Sequence, residues 1–129
     1  MFKKLFLIVI PLFKCFFLIS QLSQITFQVD MNHEVISNQG VHIAGDFQSV
    51  AGLGGNWSPS STEMMDNNGD GIYSITLLLP DNIYEYKFIN GNAWGMDESP
   101  PSECTIGVHH NRFIVVNGYD LTLPAVNFN

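Results

Sequence analysis

The sequence predicts an all-β fold: an immunoglobulin-like, early-set antiparallel β-sandwich of about seven strands, placed after an N-terminal signal peptide. Three observations predict it. Beyond residue 24, apolar residues alternate in short runs, the spacing that sends successive side chains of a strand to opposite faces. Gly, Asn, Asp and Pro separate the runs, and these residues favour turns for known backbone reasons. No useful length of this part carries the period of an amphipathic helix.

The first element is a leader. Lys3 and Lys4 precede an apolar run from Leu5 to Ile19, the layout of a secretory signal peptide. Pro11 and Lys14 interrupt the run, which argues against a membrane-spanning helix of roughly 20 unbroken apolar residues. Cleavage is expected between Ser20 and Gln24, so residues 1–24 are assigned to the signal peptide and 25–129 to one secreted or cell-envelope domain. All 12 acidic residues fall in that domain, against only Lys87 and Arg112 of the five basic ones, a formal charge of −10. Nucleic acid and anionic membrane surfaces are thereby disfavoured as partners, because both need basic clusters. Cys104 is the single cysteine after the leader, so the fold must rest on packing rather than an internal disulfide.

Next come the strands. In "ITFQVDM" Ile25, Phe27, Val29 and Met31 share one face, as in a half-buried strand. "VHIAGDF" offers Val41 and Ile43 to the core, and "GIYSITLLLP" offers Tyr73, Ile75, Leu77 and Leu79. Pro80-Asp81-Asn82 reads as a short loop joining that strand to "IYEYKFI" in an antiparallel hairpin. "NRFIVV" (111–116) and "LTLPAVNF" (121–128) close the chain, with Gly118 at the turn between them. Between Gln48 and Asp70 lies a long stretch rich in Gly, Ser and Asn, and irregular segments of that length in compact domains are commonly functional or mobile.

The hairpin strand at Tyr84, Tyr86 and Phe88 puts its aromatic face in the core and Glu85, Lys87 and Ile89 on the other side. Asn90-Gly91 suits a two-residue type I′ turn, whose centre needs positive φ. Lys87 then faces Trp94; if Gly91-Asn92 is the turn centre, Trp94 faces Ile89 on the same side. Either register places Trp94 beside Lys87 on the outer face. A flat exposed indole can stack on the C–H face of a pyranose while an ammonium and amides bond its hydroxyls. The alternative is an indole that only covers the core edge, with Lys87 on it as a cation–π pair worth about 0.5–1 kcal/mol.

The successive segments "VHIAGDF", "NWSP", "GIYSITLLLP", "YEYKFINGNAW" and "HNRFIVV" resemble starch- and glycogen-binding modules, carbohydrate-binding module families 20 and 48, and the glycogen-binding domain of the AMP-activated kinase β subunit. The resemblance spans residues 41–116. It implies a sandwich that binds α-glucan through Trp57 in "NWSP", Lys87 in "YKF", Trp94 after the turn and Asn111 before "RFIVV". Trp57 and Trp94 would stack on sugar rings, and Lys87 and Asn111 would bond hydroxyls. The segment "QSVAGLGG" between "GDF" and "NWSP" is an insertion relative to that pattern, and it leaves the position of Trp57 open.

Other constellations point to simpler roles. "DNNGDG" (66–71) opens like an EF-hand calcium loop, but Leu77 stands where its bidentate Glu belongs, so an Asx-rich turn is expected. His33, His42, His109 and His110 read as solvated histidines rather than metal ligands, and Asp97, Glu98 and Glu103 as a solvated acidic loop rather than a glycosidase pair. Cys104 reads as a buried or incidental thiol. No catalytic residue, metal or cofactor is expected. The reading is a secreted, non-catalytic α-glucan-binding module that serves a separate secreted glycoside-active enzyme; the alternative is a structural or protein-interaction sandwich that has lost sugar binding.

Overall fold

The computed structural model describes residues 20–129, so the leader expected over residues 1–24 lies, up to residue 19, outside the described residues. Eight strands follow: β1 (Leu22–Asp30), β2 (Val41–Gly45), β3 (Glu63–Met64), β4 (Ile72–Pro80), β5 (Asn82–Ile89), β6 (Arg112–Val116), β7 (Leu121–Thr122) and β8 (Val126–Asn127). One short 3₁₀ turn, Ser102–Cys104, is the helical element among the described residues. The strands form two four-stranded sheets. One has the order β4-β1-β7 with β8 also on β1, the other β3-β2-β5-β6. The immunoglobulin-like all-β sandwich is thus the observed fold.

Period-two alternation becomes two facing apolar surfaces. Ile25, Phe27 and Val29 of β1 meet Val41 and Ile43 of β2, Tyr84, Tyr86 and Phe88 of β5, and Ile114 and Val116 of β6 in one buried cluster. Phe27 is its hub, stacked on Phe47 at 5.3 Å and edge-on to Tyr86 at 4.9 Å. Burying each such side chain contributes about 1.5–3 kcal/mol. Tyr73, Ile75 and Leu77 of β4 pack against this cluster half-buried, and Leu79 is fully inside.

The connections depart from the local reading. β4 and β5 do not form a hairpin: β4 pairs with β1 along its whole length, while β5 pairs with β2 and β6 in the other sheet. The short Pro80-Asp81-Asn82 link is therefore a corner between sheets. The Tyr84 hydroxyl donates to the Pro80 carbonyl at 2.9 Å and ties that corner down. The closing segment is likewise two strands rather than one, because Pro124 has no N–H to continue a ladder. Its halves, β7 and β8, both run parallel to β1.

The long segment after β2 folds back tightly and contributes β3, which pairs with β2. Gln48, fully buried, organises it. Its Oε1 accepts from the Ser58 N–H at 2.9 Å, and its Nε2 donates to the Ser58 carbonyl at 2.8 Å and the Thr62 hydroxyl at 2.9 Å. Ala51 and Leu53 of the inserted stretch pack on the core. At 66–71 the chain forms the Asx-rich turn. The two carboxylate oxygens of Asp66 accept from the N–H groups of Gly69, Asp70 and Gly71, leaving that side chain absorbed by its own loop.

Two solvated readings are corrected. Glu98 is 1 % exposed, because Arg112 reaches it from β6: Nε lies 2.8 Å and the terminal nitrogen 2.7 Å from Oε2. The Phe88 N–H also donates to the same carboxylate, at Oε1, 3.0 Å away. His42 is also buried, its Nδ1 without a hydrogen-bond partner, since β2 is covered on both faces. Cys104 is exposed, so of its two readings the incidental thiol remains.

Candidate functional site

An open cavity of about 530 Å³ lies on the outer face of the β3-β2-β5-β6 sheet, lined by Asp46, Trp57, Glu85, Lys87, Trp94, Asp97, His109 and Asn111. That volume is in the range of small-ligand sites. Strand register builds its floor. β5 runs between β2 and β6 with Ala44 opposite Lys87 and Tyr86 opposite Arg112. Continuing the second pairing by one residue brings Asn111 across from Lys87. Glu85 and Lys87, two residues apart, project to the same outer face. Asp46, just past β2, is bound to Glu85 twice: its N–H donates to the Glu85 carbonyl at 3.1 Å, and its Oδ1 accepts from the Glu85 N–H at 2.9 Å.

Two loops raise the walls. The first carries Trp57, whose N–H donates to the Gly45 carbonyl at 3.1 Å. Trp57 has φ of 58°, a left-handed conformation that is uncommon for a bulky residue. The insertion does not remove it from the site: Gln48 pins the adjacent Ser58, and the indole comes to rest 6.3 Å from that of Trp94, tilted by 43°.

The second wall is the segment after β5, where the expected two-residue turn gives way to a wider loop. Ile89 bridges to Asp97, and the Asn90 N–H donates to the Met96 carbonyl at 2.9 Å. The reason lies in Asn90, which does not adopt positive φ. Its Oδ1 instead accepts from the Ser37 N–H and its Nδ2 donates to the Val35 carbonyl, clamping the loop before β2. Gly95, with φ of 96°, makes the turn. Trp94 is therefore a loop residue, 47 % exposed, and it shares the cavity with Lys87 without being its cross-strand neighbour.

The four residues implied by the resemblance thus converge on one cavity, but two are more constrained than expected. The Lys87 ammonium goes to Asp97 Oδ2 at 3.2 Å rather than onto the indole. Asn111 is only 6 % exposed, with its Nδ2 donating to Glu85 Oε2 at 2.8 Å. Sequence reading does not mark Asp46, Glu85 and His109 as lining groups and takes Asp97 for solvated loop, whereas all four line the cavity. Alternation does put Glu85 on the face of Lys87, the signal by which it could be named a lining group; nothing local marks the others.

Three carboxylates against one ammonium make the cavity acidic. Burial pushes the Asp46 carboxyl up, with the neighbouring Glu85 charge adding to it against the pull of the Glu85 N–H. For Asp97 burial acts upward too, but the Gly95 N–H and the Lys87 ammonium outweigh it and hold the carboxyl below its usual value. The arrangement offers two tilted apolar faces above a floor of fixed donors and acceptors.

Residues 40–122 match the family model of the pullulanase X25 domain. The chain is 32 % identical over 112 residues to an amylopullulanase of Thermoanaerobacterium thermosulfurigenes, covering 78 % of this chain and 6 % of that protein. It is 32 % identical over 84 residues to an amylopullulanase of Thermoanaerobacterium saccharolyticum, covering 56 % of this chain and 7 % of that protein. The chain therefore corresponds to a small fraction of the length of either relative. All four residues singled out above lie inside the matched segment.

Proposed function

The chain belongs to the pullulanase X25 domain family, and on that premise we propose that it is a non-catalytic module that binds α-glucan of the starch or glycogen type. The relatives are by name amylopullulanases, and this chain matches a small part of each, which supports an accessory role beside a glycoside-active enzyme. We read the site as the counterpart of that in modules of families 20 and 48, and the chain as a secreted or cell-envelope protein released from its leader between Ser20 and Gln24.

The observation that carries this reading is the convergence of Trp57 and Trp94, 6.3 Å apart, over Lys87 and Asn111 in one open cavity. Indole faces supply apolar area for sugar C–H groups, and the polar floor supplies bonds for hydroxyls. An open site that covers one or two sugars buries little area, so modest affinity is expected. The competing reading, docking on protein through acidic loops, has less support: Asp97 is bound to Lys87 and Glu98 to Arg112.

Electrophoresis in a native gel containing amylopectin or glycogen tests the proposal. Wild-type protein should be retarded, and Trp94→Ala should migrate freely with an unchanged melting temperature. Wild-type protein that is not retarded in either gel overturns it.

A further inference from the structure

We propose that Glu85 and Asp97 are positioning residues of this site, the first aiming the Asn111 carboxamide and the second the Lys87 ammonium at the ligand. The inference rests on the glucan-binding reading and deepens it. A carboxamide has two chemically different ends, an acceptor oxygen and a donor nitrogen. A neighbouring carboxylate accepts only, so the 2.8 Å contact from Asn111 Nδ2 to Glu85 Oε2 fixes the nitrogen toward Glu85. Oδ1 is then presented away from Glu85, as an acceptor for a sugar hydroxyl.

Glu85 can act as a fixed reference because its backbone is held on both sides. It pairs with Phe113 of β6 and exchanges two hydrogen bonds with Asp46. Asn111 is anchored equally well, its N–H donating to the Ile106 carbonyl at 3.2 Å and its carbonyl accepting from the Ile106 N–H at 2.9 Å.

Lys87 poses the opposite problem, a point charge on a flexible four-carbon stem. Asp97 holds it at 3.2 Å, and Asp97 is itself oriented by the Gly95 N–H, which donates to Oδ1 at 3.1 Å. An ammonium has three donors, so one bond to Asp97 orders the side chain and leaves the others for hydroxyls. Ordering before binding reduces the entropy that the ligand must overcome. All four side chains line the cavity.

Calorimetric titration with maltoheptaose, paired with thermal melts, tests the proposal. Glu85→Ala and Asp97→Ala should each weaken binding on the order of tenfold, the effect of a lost bond to a charged group, with the melting temperature nearly unchanged in Glu85→Ala and lowered in Asp97→Ala by less than the loss of affinity requires. Glu85→Gln keeps an acceptor for Asn111 Nδ2 and should restore most of the affinity. Without ligand, the Asn111 side-chain amide resonances should shift and broaden in Glu85→Ala but not in Glu85→Gln. Alanine variants that bind like wild type, or affinity that falls only in step with melting temperature, overturn the proposal. Absence of wild-type binding instead removes the glucan reading beneath it.

Discussion

Arg112 and Glu98 form a buried ion pair at one end of the sandwich core, with a terminal guanidinium nitrogen 2.7 Å from Oε2 and the carboxylate 1 % exposed. The guanidinium also donates to the Asn127 carbonyl at 3.2 Å and lies 5.8 Å from the centre of the Phe88 ring. One pair thus joins β6, the segment after β5 and the C-terminal strand. Removing one partner strands a charge in the interior, so Glu98→Ala should lose about 3–5 kcal/mol of stability. Replacing both, as in Glu98→Leu with Arg112→Met, should recover most of that loss. Urea denaturation of the two variants checks it, and equal losses would mean that the pair itself stabilises the fold.

Trp57 occupies a left-handed backbone position with φ of 58°, where a side chain costs about 1–2 kcal/mol relative to glycine. The usual order of substitutions should therefore invert. Trp57→Gly should be more stable than Trp57→Ala by roughly 1 kcal/mol, and both should lose retardation by amylopectin. Denaturation midpoints decide this, and an alanine variant at least as stable as the glycine variant would contradict it.

Much of this fold could be read from alternation, because Ile25, Phe27, Val29, Tyr84, Tyr86 and Phe88 needed only a period-two rule to find the core. The assignment of strands to sheets could not. Pro80-Asp81-Asn82 suits a hairpin and a corner equally, and the choice is made by the nine-residue ladder of β4 on β1, a long-range pairing. The site divides the same way. Parity alone puts Lys87 on the outer surface, whereas Trp94 joins it from a loop wider than the expected turn, where parity does not apply. Trp57 depends on the buried amide of Gln48, and Glu98 on Arg112, 14 residues away; neither partnership leaves a local signature.

The leader boundary gives a further expectation. β1 begins at Leu22, Ser23 is buried, and the Gln24 N–H donates to the Asp120 carboxylate at 2.7 Å. Leu22, Ser23 and Gln24 also pair with Pro80, Leu79 and Leu78. A protein beginning at Gln21 should therefore melt higher than one beginning at Ile25. Equal melting temperatures would show that these residues add nothing to the domain.

Tyr86, buried between Phe27 and Phe88, has its hydroxyl pushed up to about 12 by burial, with Arg112 pulling it down and Glu98 raising it further. The folded value lies above the ordinary value of 10, so between the two the folded chain holds a proton that the unfolded chain has released. Its stabilising contribution is complete below pH about 10 and is lost as pH rises toward about 12. Phenolate absorbance in wild type and Tyr86→Phe should differ by one tyrosine that ionises late. A Tyr86 that ionises near the ordinary value of 10 would contradict the burial argument.

Asp97 supplies the opposite sign at the binding cavity. Burial works to raise its carboxyl, but the Gly95 N–H and Lys87 prevail and the folded value lies below the ordinary 3.8. As pH falls the unfolded chain takes up the proton first, so the contribution of Asp97 is present above about pH 3.8 and disappears as pH drops through the folded value. The stability gap between wild type and Asp97→Asn should therefore narrow between pH 6 and pH 3. Charge in the cavity extends the argument to ligands. Asp46, Glu85 and Asp97 face a single ammonium there, and like charges disfavour an anionic partner. Phosphate-bearing amylopectin should accordingly retard the protein less than neutral amylopectin at low salt, with the difference shrinking as salt screens the cavity. Equal retardation at every salt concentration would show that the carboxylates are too well paired to be felt by the ligand.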